Sequence, residues 1–279
     1  WSRSPSPAGT ARGCRCHPSN VVPKPFQRPH PPLWVACTQR ETIRLAAAKG
    51  LGALSFGFVE PGEAEEWVGE YYKIIGSDAC VPAGFSVNAN IACALPFMCH
   101  EDEEEAINRG LDGAHFFGYS LGHFYGFGNH QPGVTDIHEQ FLANRTAFGF
   151  DRETAAQVGV GLRARMKKEV DGVAEGVASL RGAIGTPDQI RDLLLDYEAA
   201  GVDQVIFISQ AGHNRHEHIC ESIELFAREV MPEFAERDSA HVAAKETRLA
   251  DSVSAALARR DPPRTADPEY RIPPPVGTS

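Results

Sequence analysis

The segment GTPDQIRDLLLDYEAAGVDQVIFISQAG, residues 185–212, contains the clearest helix and strand signals of the sequence. Thr186 is a natural N-cap, Pro187 occupies the first helical position, and Gln189 completes a capping box. Gly201 predicts the end of that helix, and the β-branched run that follows it predicts a strand. A helix followed by a buried strand is half of the repeating unit of a parallel α/β sheet.

The same alternation extends toward the N-terminus. Apolar runs predict strands, and amphipathic runs predict the helices that follow them. The predicted strands are 33–37, 52–58, 90–99 and 203–209, and the further predicted helices are 42–50, 63–75, 101–111, 216–230 and 237–260. Strands that are apolar throughout and alternate with helices indicate a parallel sheet with both faces buried.

Residues 112–180 interrupt this rhythm and are expected to be an insertion. Within it, HFFGYSLGHFYGFGNH at 115–130 contains six aromatic residues, three histidines and four glycines. A loop that long and aromatic is uncommon unless it is functional, so we expect a mobile lid. A loop packed on another part of the fold is the alternative. Residues 151–180 are expected to be helical.

Composition and charge exclude several classes of protein. The formal charge of −10 argues against nucleic-acid binding, which needs a basic face. No apolar run is long enough for a membrane span, and no secretory signal is recognisable. Seven scattered cysteines favour a reduced, cytoplasmic chain. Residues 1–20 are expected to be a disordered or aberrant leader, and 237–279 a surface helix with a disordered Pro-rich tail.

Three stretches together resemble the C-terminal part of the luciferase-like, flavin-dependent monooxygenases. They are PKPFQRPHPPLWVAC at 23–37, the segment at 185–212, and HEHICESIELFAREVMPEF at 216–234, and the resemblance spans 21–236. It implies a (β/α)₈ TIM-barrel family of which this chain carries the last four strands, with a long insertion. Half a barrel has two unpaired sheet edges, so a fragment that dimerises is expected.

Barrel enzymes build their sites at the carboxyl ends of the strands. A hydroxyl and free N–H groups at a helix start suit the flavin phosphate, although Thr38 as a plain N-cap would use the same groups. Glu41 in that loop would repel a phosphate. The resemblance and this placement give as cofactor-binding candidates Thr38, Gln39 and Arg40 after the first strand, and Gln210 and Gly212 after the last.

Aromatic side chains near these ends are the substrate-binding candidates, with ordinary core packing as the alternative. They are Phe56, Phe58, Phe124, Tyr125 and Phe127. His100 and His213 are the acid–base candidates, although a helix-capping or surface histidine is the simpler explanation of His100. No metal site is expected, because His216 and His218 lie two positions apart and face different sides of a helix.

The resemblance implies an oxidoreductase that uses reduced FMN and dioxygen on an apolar or carbonyl-bearing small molecule. A partner flavin reductase would supply the reduced flavin, and homodimers are expected. Three alternatives stay open: a deazaflavin-dependent hydride transfer, a metal-dependent barrel hydrolase, and a fragment without catalysis.

Overall fold

The computed structural model describes residues 23–55, 61–148, 150, 163–164, 179–261, 269 and 271. The strands are β1 Trp34–Cys37, β2 Gly52–Ser55, β3 Ile91–Cys99, β4 Arg163–Ala164, β5 Ser179–Leu180, β6 Ala183–Gly185 and β7 Gln204–Ile208. The α-helices are α1 Arg40–Ala48, α2 Pro61–Ile75, α3 Glu103–Gly122, α4 Ile137–Asn144, α5 Pro187–Ala199, α6 His216–Glu229 and α7 Met231–Ala258, and a π-helix, His123–Phe127, follows α3.

The main sheet is parallel, as the sequence predicted. Strand β1 pairs with β2, and β2 pairs with β3. Strand β3 also pairs with β7 along Ala92–Pro96 and with β6 along Phe97–Cys99. All four predicted strands are therefore neighbours in one sheet, although residues 56–58 of the second prediction lie outside the described residues. Among the described residues, β1 and β7 each pair on one side alone.

Two short additions were not predicted. Strand β6 has three residues and therefore offers no run long enough to suggest a strand. Residues 163–164 and 179–180 pair as the antiparallel strands β4 and β5, so the helix expected for 151–180 is wrong at those positions. The rest of that stretch lies outside the described residues.

The central strand β3 is buried along its whole length and fixes the two faces of the sheet. Its odd-numbered residues Cys93, Leu95 and Phe97 pack against α5 and α6 in one core cluster, and the ring of Phe97 stacks on Phe207 of β7 at 4.1 Å. Met98 points the other way and packs with Ile184 against α3. Helix α3 therefore covers the opposite face, near the carboxyl end of β3.

Helix α5 confirms the capping box read from the sequence. The Gln189 N–H donates to the Thr186 hydroxyl at 3.4 Å, and the Thr186 N–H donates to the Gln189 side chain at 3.0 Å. Gly201 adopts φ of +84°, which lets the chain turn into β7. Local chemistry alone sets both ends of this helix.

The glycine-rich segment 115–130 is largely helical rather than the loop that the sequence predicted, and its role as a lid stays a prediction. It forms the last two turns of α3 and the π-helix. Two of its glycines make close contacts: a Cβ on Gly118 would lie 3.2 Å from the Phe150 ring, and one on Gly122 would lie 2.6 Å from Phe127. These glycines provide room for neighbouring rings rather than flexibility.

The C-terminal helices follow one another around Pro232. Helix α6 ends at Glu229, and Pro232 lies in the first turn of α7, where its missing N–H costs nothing. The surface helix predicted for 237–260 thus begins six residues earlier, at Met231. The Pro-rich tail falls almost entirely outside the described residues.

Within the described part of the chain, no helix combines the length and apolarity that a membrane crossing requires.

Candidate functional site

The carboxyl ends of β3 and β7 lie beneath α3. A Cβ on Gly110 would lie 2.5 Å from Met98 Cβ near the end of β3, and one on Gly113 would lie 2.7 Å from the Ala211 carbonyl oxygen just after β7. Helix α3 therefore crosses this edge of the sheet from β3 to β7. We call the region bounded by α3 and these strand ends the mouth.

The loop after β1 brings Thr38 and Gln39 to the surface at the carboxyl end of that strand. Gln39, not Thr38, is the N-cap of α1, and its side chain makes no capping hydrogen bond. Both side chains are exposed. An uncapped helix start offers free N–H groups, and Thr38 adds a hydroxyl donor. This donor set fits a phosphate group.

Arg40, at the start of α1, is engaged with α2. Its guanidinium donates to Glu66 and Glu70 of α2, each at 2.7 Å. These partners, Glu66 first, raise the pKa of Arg40 above its usual value. A phosphate would have to compete with two carboxylates for the Arg40 charge, so Thr38 and Gln39 are the stronger candidates at this strand end.

The loop after β7 is a tight turn held by its own polar groups. The Asn214 amide donates to the Ser209 carbonyl at 2.9 Å. Gly212 adopts φ of +58°, and a Cβ there would lie 3.3 Å from Gly113 Cα of α3. Packing against α3 thus explains this glycine independently of a cofactor. Gln210 is exposed beside the turn.

The two histidine candidates occupy different settings. His100 accepts a 3.0 Å hydrogen bond from the Asp102 N–H through Nδ1, and Asp102 is itself the N-cap of α3. The His100 ring therefore belongs to the turn that starts α3. His213 is exposed, and its ring lies 3.9 Å from the ring of His138 on α4, with an interplanar angle of 33°.

His138 was missed by the sequence reasoning. It lies outside the aromatic run at 115–130, and nothing in its neighbourhood marks it as a partner of a residue 75 positions later. The contact depends on how α4 folds back on α3. Only the three-dimensional packing of the insertion could reveal it.

The aromatic candidates divide between core and surface. Phe127 stacks on Phe148 at 4.6 Å within an aromatic cluster that also contains Tyr119 and Phe141. Phe124 and Tyr125 are 58% and 86% exposed, so they are free to contact a ligand or a partner. Phe56 and Phe58 lie outside the described residues.

The thiols near the strand ends are buried and inert. Burial raises the pKa of Cys37 to about 11 and that of Cys99 to about 12. A protonated buried thiol is a poor nucleophile and a poor metal ligand. In the part of the chain that the structure describes, no three His, Cys, Asp or Glu side chains are grouped so as to hold a metal ion.

The fold and the mouth define a class of protein: a parallel α/β chain whose candidate ligand groups gather at the carboxyl ends of its strands. The family model of luciferase-like monooxygenases matches residues 4–204, well over half of the sequence. The chain therefore belongs to the luciferase-like monooxygenases, as the sequence resemblance indicated. No curated protein matches the chain.

Solved structures of similar fold include three enzymes. Monooxygenase RslO1 from Streptomyces bottropensis is 19% identical, with 78% of this chain and 52% of that chain covered and a TM-score of 0.48. The oxygenating constituent of 3,6-diketocamphane monooxygenase from Pseudomonas putida, in complex with FMN, is 14% identical (73% and 49% covered, TM-score 0.42). The coenzyme F420 dependent tetrahydromethanopterin reductase from Methanopyrus kandleri is 19% identical (73% and 51% covered, TM-score 0.40). This chain spans about half the length of each of these structures.

Proposed function

We propose that this chain contributes to a flavin-dependent monooxygenase that uses reduced FMN and dioxygen on an apolar or carbonyl-bearing small molecule. The observation that carries the proposal is the uncapped start of α1 beside the exposed Thr38 and Gln39. It supplies hydrogen-bond donors for a phosphate at the edge of the sheet where enzymes of this architecture bind ligands.

The residues of this chain bind and shield rather than react. The Thr38 hydroxyl and the first N–H groups of α1 hold the phosphate, and the Gln210 amide is placed to hydrogen-bond a ligand on the β7 side. Phe124 and Tyr125 add exposed apolar surface that excludes water when a substrate covers it. Reduced flavin, when bound, supplies the electrons that activate dioxygen.

A deazaflavin is the second cofactor candidate. Thr38, Gln39 and the α1 amides recognise a phosphate, which both cofactors carry, and they do not distinguish the two ring systems. With deazaflavin the reaction would be hydride transfer without oxygen. Binding affinities for the two cofactors decide between these reactions.

We also propose that copies of the chain associate with one another, and that a flavin reductase supplies the reduced cofactor. The edge strands support the first point, because Trp34 of β1 and Ile206 of β7 are 37% and 43% exposed. Exposed apolar side chains on unpaired strands favour association with another chain.

We propose a cytoplasmic location as well. The free thiols that support it are Cys37, Cys80, Cys93, Cys99 and Cys220.

Flavin titration of the 279-residue chain tests the function. We expect saturable binding of FMN, measured by calorimetry, that weakens at least tenfold in the Thr38→Ala/Gln39→Ala double variant. The control is Thr247→Ala on α7, whose hydroxyl bonds the Ala243 carbonyl far from the mouth. Binding unaffected by the double variant would reject the phosphate site. No binding of FMN or of coenzyme F420 by the wild-type chain would favour the non-catalytic alternative.

A further inference from the structure

Helix α6 carries a histidine and a cysteine side by side at its start. His216 is the first residue of the helix, and Cys220 lies four positions later. Residues at this spacing are neighbours on a helix surface. The Nε2 atom of His216 lies 3.5 Å from the sulfur atom of Cys220. The pair is therefore formed within one helix and does not depend on how the insertion packs.

Both side chains are accessible from solvent. Four of the five free cysteines that the structure describes are buried, whereas Cys220 is partly exposed and His216 beside it is exposed. A thiol has to lose its proton when it binds a metal ion, and an accessible thiol can pass that proton to water. Neither side chain would have to leave a buried position to meet an ion.

The separation of the two atoms matches that of two ligands of one metal ion. A tetrahedral zinc ion binds sulfur at about 2.3 Å and imidazole nitrogen at about 2.0–2.1 Å, which places the two ligand atoms roughly 3.5 Å apart. The 3.5 Å between His216 Nε2 and Cys220 Sγ therefore requires no distortion of the helix. Two ligands four positions apart on a helix also bind zinc in the HExxH motif. His218 lies two positions after His216, on another side of the helix.

The charged groups around the pair favour a cation. Glu217 pairs with Arg215 at 3.6 Å, and Glu221 accepts a hydrogen bond from Arg109 at 2.5 Å. Glu224, on the next turn of α6, adds a third carboxylate. Three carboxylates against two arginines leave a negative excess here, in a chain whose formal charge is −10. This field attracts metal cations toward the pair.

We propose that His216 Nε2 and Cys220 Sγ together bind a thiol-seeking metal cation such as Zn²⁺. On binding, the Cys220 S–H bond breaks, its proton passes to water, and a sulfur–metal bond forms without any change of oxidation state. Among the described residues, no three potential ligands are grouped around one ion, so water completes the coordination and the ion exchanges with solvent. The bound ion masks the Cys220 thiol. This site needs no flavin and is independent of the proposed function.

Protection of Cys220 by zinc tests the site. The 279-residue chain carries Cys14→Ser and Cys16→Ser, which remove the two thiols outside the described residues. With excess Zn²⁺ at pH 7.5, we expect Cys220 to react with a disulfide reagent at least tenfold more slowly than without metal, and EDTA to restore the rate. Co²⁺ should produce a thiolate-to-cobalt charge-transfer absorption in the near ultraviolet, and Cys220→Ser should abolish it.

The contribution of the histidine is tested in the same background. His216→Ala should return the labelling rate in zinc to its metal-free value, whereas the matched control His218→Ala, on the same helix, should keep the full protection. Circular dichroism and the unreactive buried cysteines show that each variant is folded. Absence of protection in the parent chain, protection that persists in His216→Ala, or an equal loss in His218→Ala would each reject the pair as a metal site.

Discussion

The phenol of Tyr72 donates a 2.6 Å hydrogen bond to the carboxylate of Asp203, 131 residues later in the chain. The same carboxylate oxygen accepts the Ile91 N–H at 2.7 Å, and the other oxygen accepts from Lys245 of α7 at 2.8 Å. Burial, followed by the Asp203 charge, raises the pKa of Tyr72, so the phenol stays a donor. One carboxylate thus joins α2, β3 and α7 at the amino end of the sheet.

Asp203→Asn should destabilise the fold substantially. It removes the negative charge that pairs with Lys245 and replaces one of the two accepting oxygens with an NH2 group, which cannot accept from these donors. We expect a loss of roughly 2–3 kcal/mol in the free energy of unfolding, measured by urea denaturation. Asp192→Asn, on α5 but outside this network, should change stability by less than about 0.5 kcal/mol. Equal effects of the two variants would contradict the role given to Asp203.

Glu103→Gln should weaken the attachment of α3 in a pH-dependent way. Glu103 pairs with Arg181, whose side chain is 1% exposed. The hydrogen bond from Arg181 is the main cause that lowers the Glu103 pKa below 4.5. The stabilisation is therefore complete above pH 4.5 and is lost as the pH falls through the lowered pKa of Glu103.

At pH 7 the expected cost of Glu103→Gln is about 1 kcal/mol, because Glu103 is partly solvated. The difference between variant and wild type should shrink when urea unfolding is repeated at pH 3.5. The neighbouring Glu104→Gln, in the same helical turn but exposed, serves as the control. A cost that stays constant with pH would show that the Arg181 contact does not depend on the Glu103 charge.

Gly113→Ala should displace α3 from the strand ends. The added methyl would lie 2.7 Å from the Ala211 carbonyl oxygen, which belongs to backbone and cannot rotate away. We expect a loss of about 1–3 kcal/mol in thermal or urea unfolding. Gly69→Ala on α2, where a Cβ meets nothing within 4 Å, should instead stabilise by about 0.5–1 kcal/mol. A stabilising Gly113→Ala would refute the close packing of α3 on the loop after β7.

Thiol labelling should separate the cysteines by burial. Desolvation raises the pKa of Cys93 and of Cys99 to about 12, so neither forms thiolate at neutral pH. In a Cys14→Ser/Cys16→Ser background, we expect one rapidly reacting thiol per chain with a disulfide reagent at pH 7.5. That thiol is Cys220, which is partly exposed. Rapid labelling that persists in a further Cys220→Ser variant would contradict the buried positions of the others.

Self-association should depend on the edge strands. We expect the 279-residue chain to elute as a dimer or larger in size-exclusion chromatography with light scattering. Ile206→Lys, which places a charge on the exposed edge strand β7, should shift the population toward monomer. Leu142→Lys, on α4 and also exposed, is the matched control. A monomeric wild-type chain would reject association through these edges.

The sequence predicted those elements whose signals are local. The capping box at Thr186, the glycine stop at Gly201 and the apolar run of β3 each depend on a few adjacent residues, and each is found as expected. The parallel arrangement of the sheet was predictable because few other topologies are open to strands that are connected through helices. The family model, which matches residues 4–204, covers the first of the three stretches that carried the resemblance and most of the second, whereas 216–234 lies outside the match.

The prediction failed where distant residues determine the outcome. Glycine at 118 and 122 suggests flexibility, yet Phe150 and Phe127 occupy the space that these glycines leave, and the segment is helical. The partner of His213 was missed for the same reason, since its contact with His138 depends on the path of the insertion. The sequence also did not reveal that the Arg40 guanidinium pairs with Glu66 and Glu70, because the rotation of their helix is not defined by local signals; a phosphate contact by Arg40 stays a prediction.

The hydrogen-bonded carboxylate of Asp203 has a consequence for how such a chain can diversify. It anchors the sheet at the end opposite the mouth, so the residues proposed to contact a ligand are not those that hold the strands in register. Substitutions around His213 and Gln210 can accumulate without loosening that anchor. A lineage built on this plan can therefore exchange one substrate for another in small steps, each compatible with a folded protein.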